Sequence, residues 1–213
     1  MEGKKDNAER NLEKSLIRVI AFVIFLAFVF FAAGKVFQEM NKVEYEGIEF
    51  TRENVGNTGL FKYSYYISGI TGNIVNYNLY LKTDPRINEI EIEKGDEILF
   101  PKGKAAYVSA TTSELDDCQN STAAIATLAG FLHGNQVLVR GASNNFFEAY
   151  KGDYDYITCD NKPDRAVVEF VRGSDTRIDV NGLCYKITVG PQCDIWQAVE
   201  KFELETVIDG RNR

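Results

Sequence analysis

The chain has 213 residues, with 31 acidic and 24 basic side chains, one histidine and a formal net charge of −7. That acidic balance argues against nucleic acid or an anionic lipid surface as partner. A hydrophobic share of 45% and a charged share of 26% place the chain in the ordinary globular class, with one or two domains.

Residues 1–15 read as a cytosolic tail and 16–37 as a transmembrane helix. The run from Val19 to Gly34, "VIAFVIFLAFVFFAAG", holds no charge and no polar side chain, and Arg18 and Lys35 flank it. Both can lay their aliphatic stems along the helix and keep the charge at the headgroups. Leu16 to Phe37 then supplies the roughly 20 residues that a hydrocarbon core requires. The competing reading is a cleaved signal peptide, with Ala32 and Gly34 near a cleavage point. The long segment ahead of the run carries Glu2, Asp6, Glu9 and Glu13, which favours a retained signal-anchor. It would continue into the span as one helix, with Asp6 or Asn7 as cap. Lys4, Lys5, Arg10, Lys14 and Arg18 precede the span, against Lys35, Lys42 and Arg52 after it. That bias sets the N-terminus in the cytosol and the rest outside the cell membrane, in the extracytoplasmic space. Removing the six basic and four acidic residues of 1–37 from 24 and 31 leaves 18 and 27, a net charge of −9.

Residues 38–58 read as a polar stalk leading into a first short strand, "YEGIEFTR", and 59–213 as the exported domain. "LFKYSYYIS" and "NIVNYNLYLK" flank "GITG" as a hairpin. Tyr77, Leu79 and Leu81 share one face of its second arm, with Asn76, Asn78, Tyr80 and Lys82 on the other. Pro85 breaks the run. "INEIEIEKGDEILFPKGKAAYVSA" carries two or three short strands. Ile125, Leu128, Ala129 and Leu132 mark an amphipathic helix, capped by Asn120 or Ser121 and stopped at Gly134 in the left-handed conformation. With strands at 106–110 and 136–140 it makes a βαβ unit. Residues 142–165 read as a polar loop. Three strands joined by tight turns follow, "AVVEFVRG", "TRIDVNG" and "CYKITVG". A last helix runs from Ile195 to Ile208, with a capping box of Asp194 and Gln197, a stop at Gly210 and an apolar side of Ile195, Val199 and Phe202. The fold class is therefore α+β, one N-terminal transmembrane helix followed by a β-rich domain with a C-terminal helix.

The cysteines, Cys118, Cys159, Cys184 and Cys193, all follow the span. An even number outside the cell reads as two disulfide bonds, with three connectivities open. The favoured pairs are Cys184 with Cys193, whose ends a Gly-Pro turn would bring together, and Cys118 with Cys159. Their spacing fits no zinc pattern, and one histidine cannot complete a Cys/His site.

Candidate chemistry is sparse. Cys118 and His133 bracket the first domain helix and would lie roughly 20 Å apart along it, whereas a nucleophile and its base need about 3 Å. No catalytic residue and no cofactor is assigned. Asn120-Ser121-Thr122 is a glycosylation sequon, so the domain is a candidate glycoprotein. Asp153, Asp155 and Asp160, with Asp164, form an acidic loop that is a candidate calcium site, though without EF-hand spacing. Tyr63, Tyr65, Tyr77 and Tyr80, with Tyr66, are a candidate binding face; the competing reading is cross-strand pairs at the core edge.

The run "YNLYLKTDPR", Tyr77 to Arg86, resembles the phrase "YNLYLRNDPR" of uncharacterised single-pass membrane proteins of small-genome archaea. There too a cysteine precedes a helix, matched by Cys118, and a "CY.I" strand leads to a cysteine and a final helix, matched by Cys184-Tyr185 and Cys193. The resemblance implies an exported, anchored domain and no activity, and it carries over no functional residue.

The expected protein is thus anchored in the lipid bilayer through residues 16–37. Its outer domain has a non-catalytic binding or assembly role at the cell envelope, with another envelope protein or a glycan as partner. The alternatives are a tethered envelope hydrolase using a carboxylate pair and an accessory subunit of a larger membrane complex. The span lacks a clean small-xxx-small motif, which weakens the last.

Overall fold

The computed structural model describes residues 3–68 and 72–211, and the side chains of 18–37, 39–68 and 72–211. The chain forms two compact units, Met1–Val43 and Glu44–Arg213.

The first unit is a single helix, α1 (Gly3–Met40), whose stretch Arg18–Phe37 is long and apolar enough to cross a membrane and is unburied within the protein. It begins ahead of Asp6 and Asn7, so neither is its cap.

After it come β1 (Lys42–Tyr45), β2 (Ile48–Val55), β3 (Thr58–Ser68) and β4 (Ile74–Leu81), a four-stranded sheet in sequence order. Residues 42–55 thus hold two strands where a stalk and one strand were expected. The tyrosine-rich arms pair antiparallel as read, Phe61 against Leu81 and Tyr65 against Tyr77. Of their "GITG" turn, residues 69–71 lie outside the described ones. The face bearing Phe61, Leu79 and Leu81 is buried.

The second sheet has six strands in the order β5-β9-β10-β8-β6-β7. They are β5 (Glu91–Lys94), β6 (Ala105–Ala110), β7 (Leu138–Ala142), β8 (Val167–Arg172), β9 (Arg177–Asn181) and β10 (Cys184–Val189). The expected βαβ unit is there: β6 runs through α2 (Ser121–Gly134) to β7, in parallel register. β6, β8 and β10 are parallel neighbours at the centre. Their near-continuous apolar runs reflect burial on both faces. The segment 142–165, read as loop, contains a helix, α3 (Phe146–Gly152). Its downstream part covers the sheet: Ser109 donates to the Ile157 carbonyl at 2.6 Å and the buried Glu169 accepts from the Cys159 N–H at 3.1 Å.

The final helix, α4 (Ile195–Arg211), lies between the two sheets. Phe202 packs on Tyr185 of β10, while Lys201 donates to the Tyr45 hydroxyl of β1 at 2.9 Å. It runs through Gly210, which does not end it. α2 does end at Gly134, but not in the left-handed conformation; the left-handed residue there is Gln136, and the Tyr77 ring rests where a Gly134 side chain would be.

β8 and β9 are not joined by a tight turn, because β10 lies between them. Residues 173–176 therefore cross the end of β10. Gly173 N–H bonds to the Val189 carbonyl at 3.1 Å, and Gly190 N–H to Thr176 Oγ1 at 2.9 Å. A Cβ on Gly190 would sit 2.9 Å from the Thr176 nitrogen.

Two disulfides form, but not the favoured pairs. Cys118 bonds Cys193 and Cys159 bonds Cys184. Cys184 opens β10 and Cys193 follows its far end, with about 17 Å of strand between Cys184 and Val189. The chain does not double back along the strand after Val189 but enters α4, so the turn at 190–193 leaves Cys193 at the far end.

Two outcomes follow. Non-reducing peptide mapping should recover 118–193 and 159–184 links, and Cys-to-Ser removal of each should lower stability by up to about 4 and 3 kcal/mol, set by loops of 75 and 25 residues. Gly190→Ala should lower it by about 1–3 kcal/mol, because the crossing backbone must move. Gly141→Ala, whose Cβ meets nothing within 4 Å, is the control in the same thermal unfolding series.

Candidate functional site

The α3 segment starts from "SNNFFEAY". Asn145 caps it, its side-chain oxygen accepting from Phe147 N–H at 3.0 Å and Glu148 N–H at 3.1 Å. Glu148 reaches back to the loop after β6, accepting from the Thr112 N–H and hydroxyl, both at 2.9 Å, and from the Ser113 hydroxyl at 2.9 Å. Burial pushes its carboxyl up, but these bonds outweigh that and hold it below the usual range. Ala149 anchors the helix in the core. The aromatic residues face outward. Phe147 and Tyr150 are 80% and 84% exposed, and Phe146, Tyr154 and Tyr156 are also exposed. Phe146 meets Phe147 and Tyr156 at 5.8 Å each, with interplanar angles of 79° and 87°. Such edge-on rings make a knuckle, not a flat platform. An exposed aromatic cluster on a well-fixed helix is the kind of surface that proteins use for association.

The carboxyl ends of β6 and β8 are the place where open sheets of this order commonly take ligands. Here the chain fills that place itself. Thr111 donates to Asn144 at 2.5 Å, and Asn144 to the Phe170 carbonyl at 2.8 Å. Arg172 pairs with Asp117 at 2.5 Å and donates to the Gly190 carbonyl at 2.9 Å, lying against the Cys118 sulfur at 3.1 Å.

A cleft of about 710 Å³ opens instead between the end of β3, the loop 98–104 and the C-terminal turns of α2 and α4. Phe100, Phe131, Leu132 and Val207 are among its apolar walls. Tyr65 closes one side, its hydroxyl donating to Asn135 at 2.7 Å. A second, more polar groove of about 570 Å³ lies on the outer face of β9 and β10, where Arg177 pairs with Asp179 at 3.3 Å.

The structure buries the polar side of α4 as well as its apolar side. Glu200, Lys201, Glu203, Glu205 and Asp209 are all buried, Glu200 and Lys201 against the four-stranded sheet and Glu205 and Asp209 against Lys94 of β5. Glu200 accepts from the Lys82 and Thr83 N–H groups at 2.6 and 3.1 Å. Glu205 bridges Lys94 at 2.5 Å and Lys201 at 3.3 Å; Asp209 takes Lys94 at 3.1 Å and the Ile98 N–H at 2.9 Å. Burial alone would lower both lysines, and their partners hold them above the ordinary value. Glu203 differs. It is 2% exposed, and its Oε1 has no partner among the described residues. Burial, with the Glu200 charge adding to it, pushes its carboxyl up to about 8.

The sequence-derived candidates scatter. Tyr63, Tyr65 and Tyr77 form an inward row, with Tyr63 stacked on Tyr65 at 5.4 Å and Tyr77 edge-on to Phe131 at 6.0 Å. Tyr80 and Tyr66 point outward, so the four tyrosines do not make one face. Burial, then Asn135, Tyr77 and Glu203 in turn, set the Tyr65 hydroxyl, and the net direction is upward. Cys118 is disulfide-bonded, and His133 is exposed in the last turn of α2. Asn120 is exposed, in the left-handed conformation and makes no cap bond. Asp153, in the left-handed conformation, ends α3, and Asp155 and Asp160 are exposed. Among the described residues no group of three donor side chains joins these aspartates; the group Asp117, Cys118, Cys193 has its sulfurs bonded to each other. The α3 aromatic residues and the cleft were missed. The signal for α3 was present in Asn145 with Glu148 three residues on.

Comparison with protein-family models, curated proteins and solved structures finds no match for the chain.

Glu203 gives a pH prediction with a definite sign. Its folded value of about 8 lies above the ordinary 4.5. The contribution of Glu203 is full below pH 4.5 and is lost, by roughly 1 kcal/mol per unit, as pH rises toward 8, where the loss levels off. Glu203→Gln should flatten the slope of urea midpoint against pH between 5 and 8. Parallel profiles for the two proteins would contradict this assignment.

Proposed function

We propose that the protein is a membrane-anchored domain of the cell exterior whose role is assembly with another envelope protein. The anchor reading rests on the apolar stretch of α1, its flanking basic residues and the resemblance to archaeal single-pass proteins. The two disulfides fit an oxidising compartment.

The binding role is carried by one observation, the exposed aromatic knuckle of α3. Phe146, Phe147, Tyr150, Tyr154 and Tyr156 give an acidic domain a concentrated apolar surface. A protein partner with a pocket suits it better than a glycan. Sugars stack on coplanar exposed rings, and the 79° and 87° angles deny them that. Aromatic anchors of this size dominate protein interfaces. The hydrolase alternative finds no support in the apolar cleft, which has no Asp or Glu in its lining.

Crosslinking in native membranes followed by pull-down tests the role. Wild type should capture a defined partner, and Phe147→Ala with Tyr150→Ala should lose it by tenfold or more without changing the unfolding temperature. Those side chains are exposed, so the fold does not depend on them. An identical set of crosslinked products from both proteins would sink the reading.

A further inference from the structure

The cleft between the two sheets stands apart from the α3 knuckle, and its chemistry points to a different kind of ligand. Its volume, about 710 Å³, is that of a small-molecule site, not a packing defect. Its depth is apolar, walled by Ile98, Phe100, Phe131, Leu132, Val137 and Val207. Its charge is one-sided. Lys102, Lys104 and Arg211 line it, and none of its twenty lining residues is Asp or Glu. This occurs in a region after residue 37 that has 27 acidic side chains and 18 basic ones. Lys102 and Lys104 make no ion pair among the described residues, so both charges are available. Arg211 spends one N–H on the Gly47 carbonyl at 3.0 Å and keeps others.

Three cations at an apolar cleft call for a ligand with an apolar body and one anionic end. We infer that the cleft binds a single-chain anionic amphiphile, its chain among Phe100, Phe131 and Val207 and its carboxylate at Lys102, Lys104 and Arg211. Each methylene removed from water contributes about 0.8 kcal/mol, so the chain supplies most of the affinity. The exposed lysines add orientation and a modest, salt-sensitive increment. The walls are held firmly. Tyr65 is bonded to Asn135 and Asn135 in turn to the Phe131 carbonyl at 2.8 Å, while Tyr185 bonds the Leu99 N–H at 2.8 Å.

The test uses the full chain in nanodiscs of zwitterionic lipid, with a diazirine-bearing palmitic acid and the alcohol of the same chain as probes. Labelled peptides are mapped by mass spectrometry, and labelling of 18–37 serves as the internal standard. The acid should label 98–104 and 131–138 saturably, at about tenfold lower concentration than the alcohol in low salt, with the gap closing in high salt. Lys102→Glu with Lys104→Glu should remove the gap and leave alcohol labelling unchanged, which also reports an intact fold. Equal labelling by acid and alcohol in the wild type would overturn the anionic assignment. Absence of saturable labelling by both would overturn the cleft as a ligand site, and neither result bears on the α3 knuckle.

Discussion

The ion cluster of Lys94, Lys201, Glu205 and Asp209 joins one helix to both sheets, and the domain is arranged around it. A helix with the sequence of α4 cannot be buried on apolar contacts alone. Its acids need cations and N–H groups in fixed places. Lys94 comes from β5, the edge of the six-stranded sheet, and Tyr45, which holds Lys201, comes from the four-stranded one. Glu200 is matched to the end of β4 by two backbone N–H groups. Moving either sheet by one residue would leave a buried charge without its partner, a cost of several kcal/mol. The cluster therefore fixes register more than it adds stability.

The disulfides act on what that cluster cannot reach. Cys118–Cys193 ties the loop after β6 to the entrance of α4, and Cys159–Cys184 ties the covering segment 153–165 to the start of β10. Both pin irregular segments that lie between the regular elements. Arg172 lies over the first bond and joins it to Asp117 and Gly190, beside the crossing of residues 173–176. That crossing explains the glycine: a backbone passing over another leaves no room for a side chain.

The sequence shows what depends on local pattern. The hairpin of β3 and β4 alternates aromatic and polar residues, and α2 repeats its apolar positions at helical spacing, so both could be read directly. The C-terminal helix was readable in position but not in burial, because Glu200, Glu203 and Glu205 look like a solvated face until a second sheet covers them. The disulfide pairing and the order of β8, β9 and β10 are long-range facts with no local trace. α3 was hidden for another reason. Its seven residues show aromatic side chains outward, so its apolar pattern has no inward stripe to detect.

The same logic accounts for where surface chemistry remains. At the carboxyl ends of the parallel strands, Thr111 bonds Asn144, Asn144 the Phe170 carbonyl, Glu148 Thr112 and Arg172 Asp117, so these four side chains are committed within the protein. Buried carboxylates elsewhere are held by lysines or backbone N–H groups, except Glu203, which burial keeps protonated near neutral pH. Two apolar surfaces are not committed to structure, the outward rings of α3 and the depth of the gap left where α2 and α4 end beside β3. Under the two proposals above, an acidic domain with an aromatic surface in one place and an apolar cleft with a cationic lining in another would hold its partners by burial, with charge selecting among them.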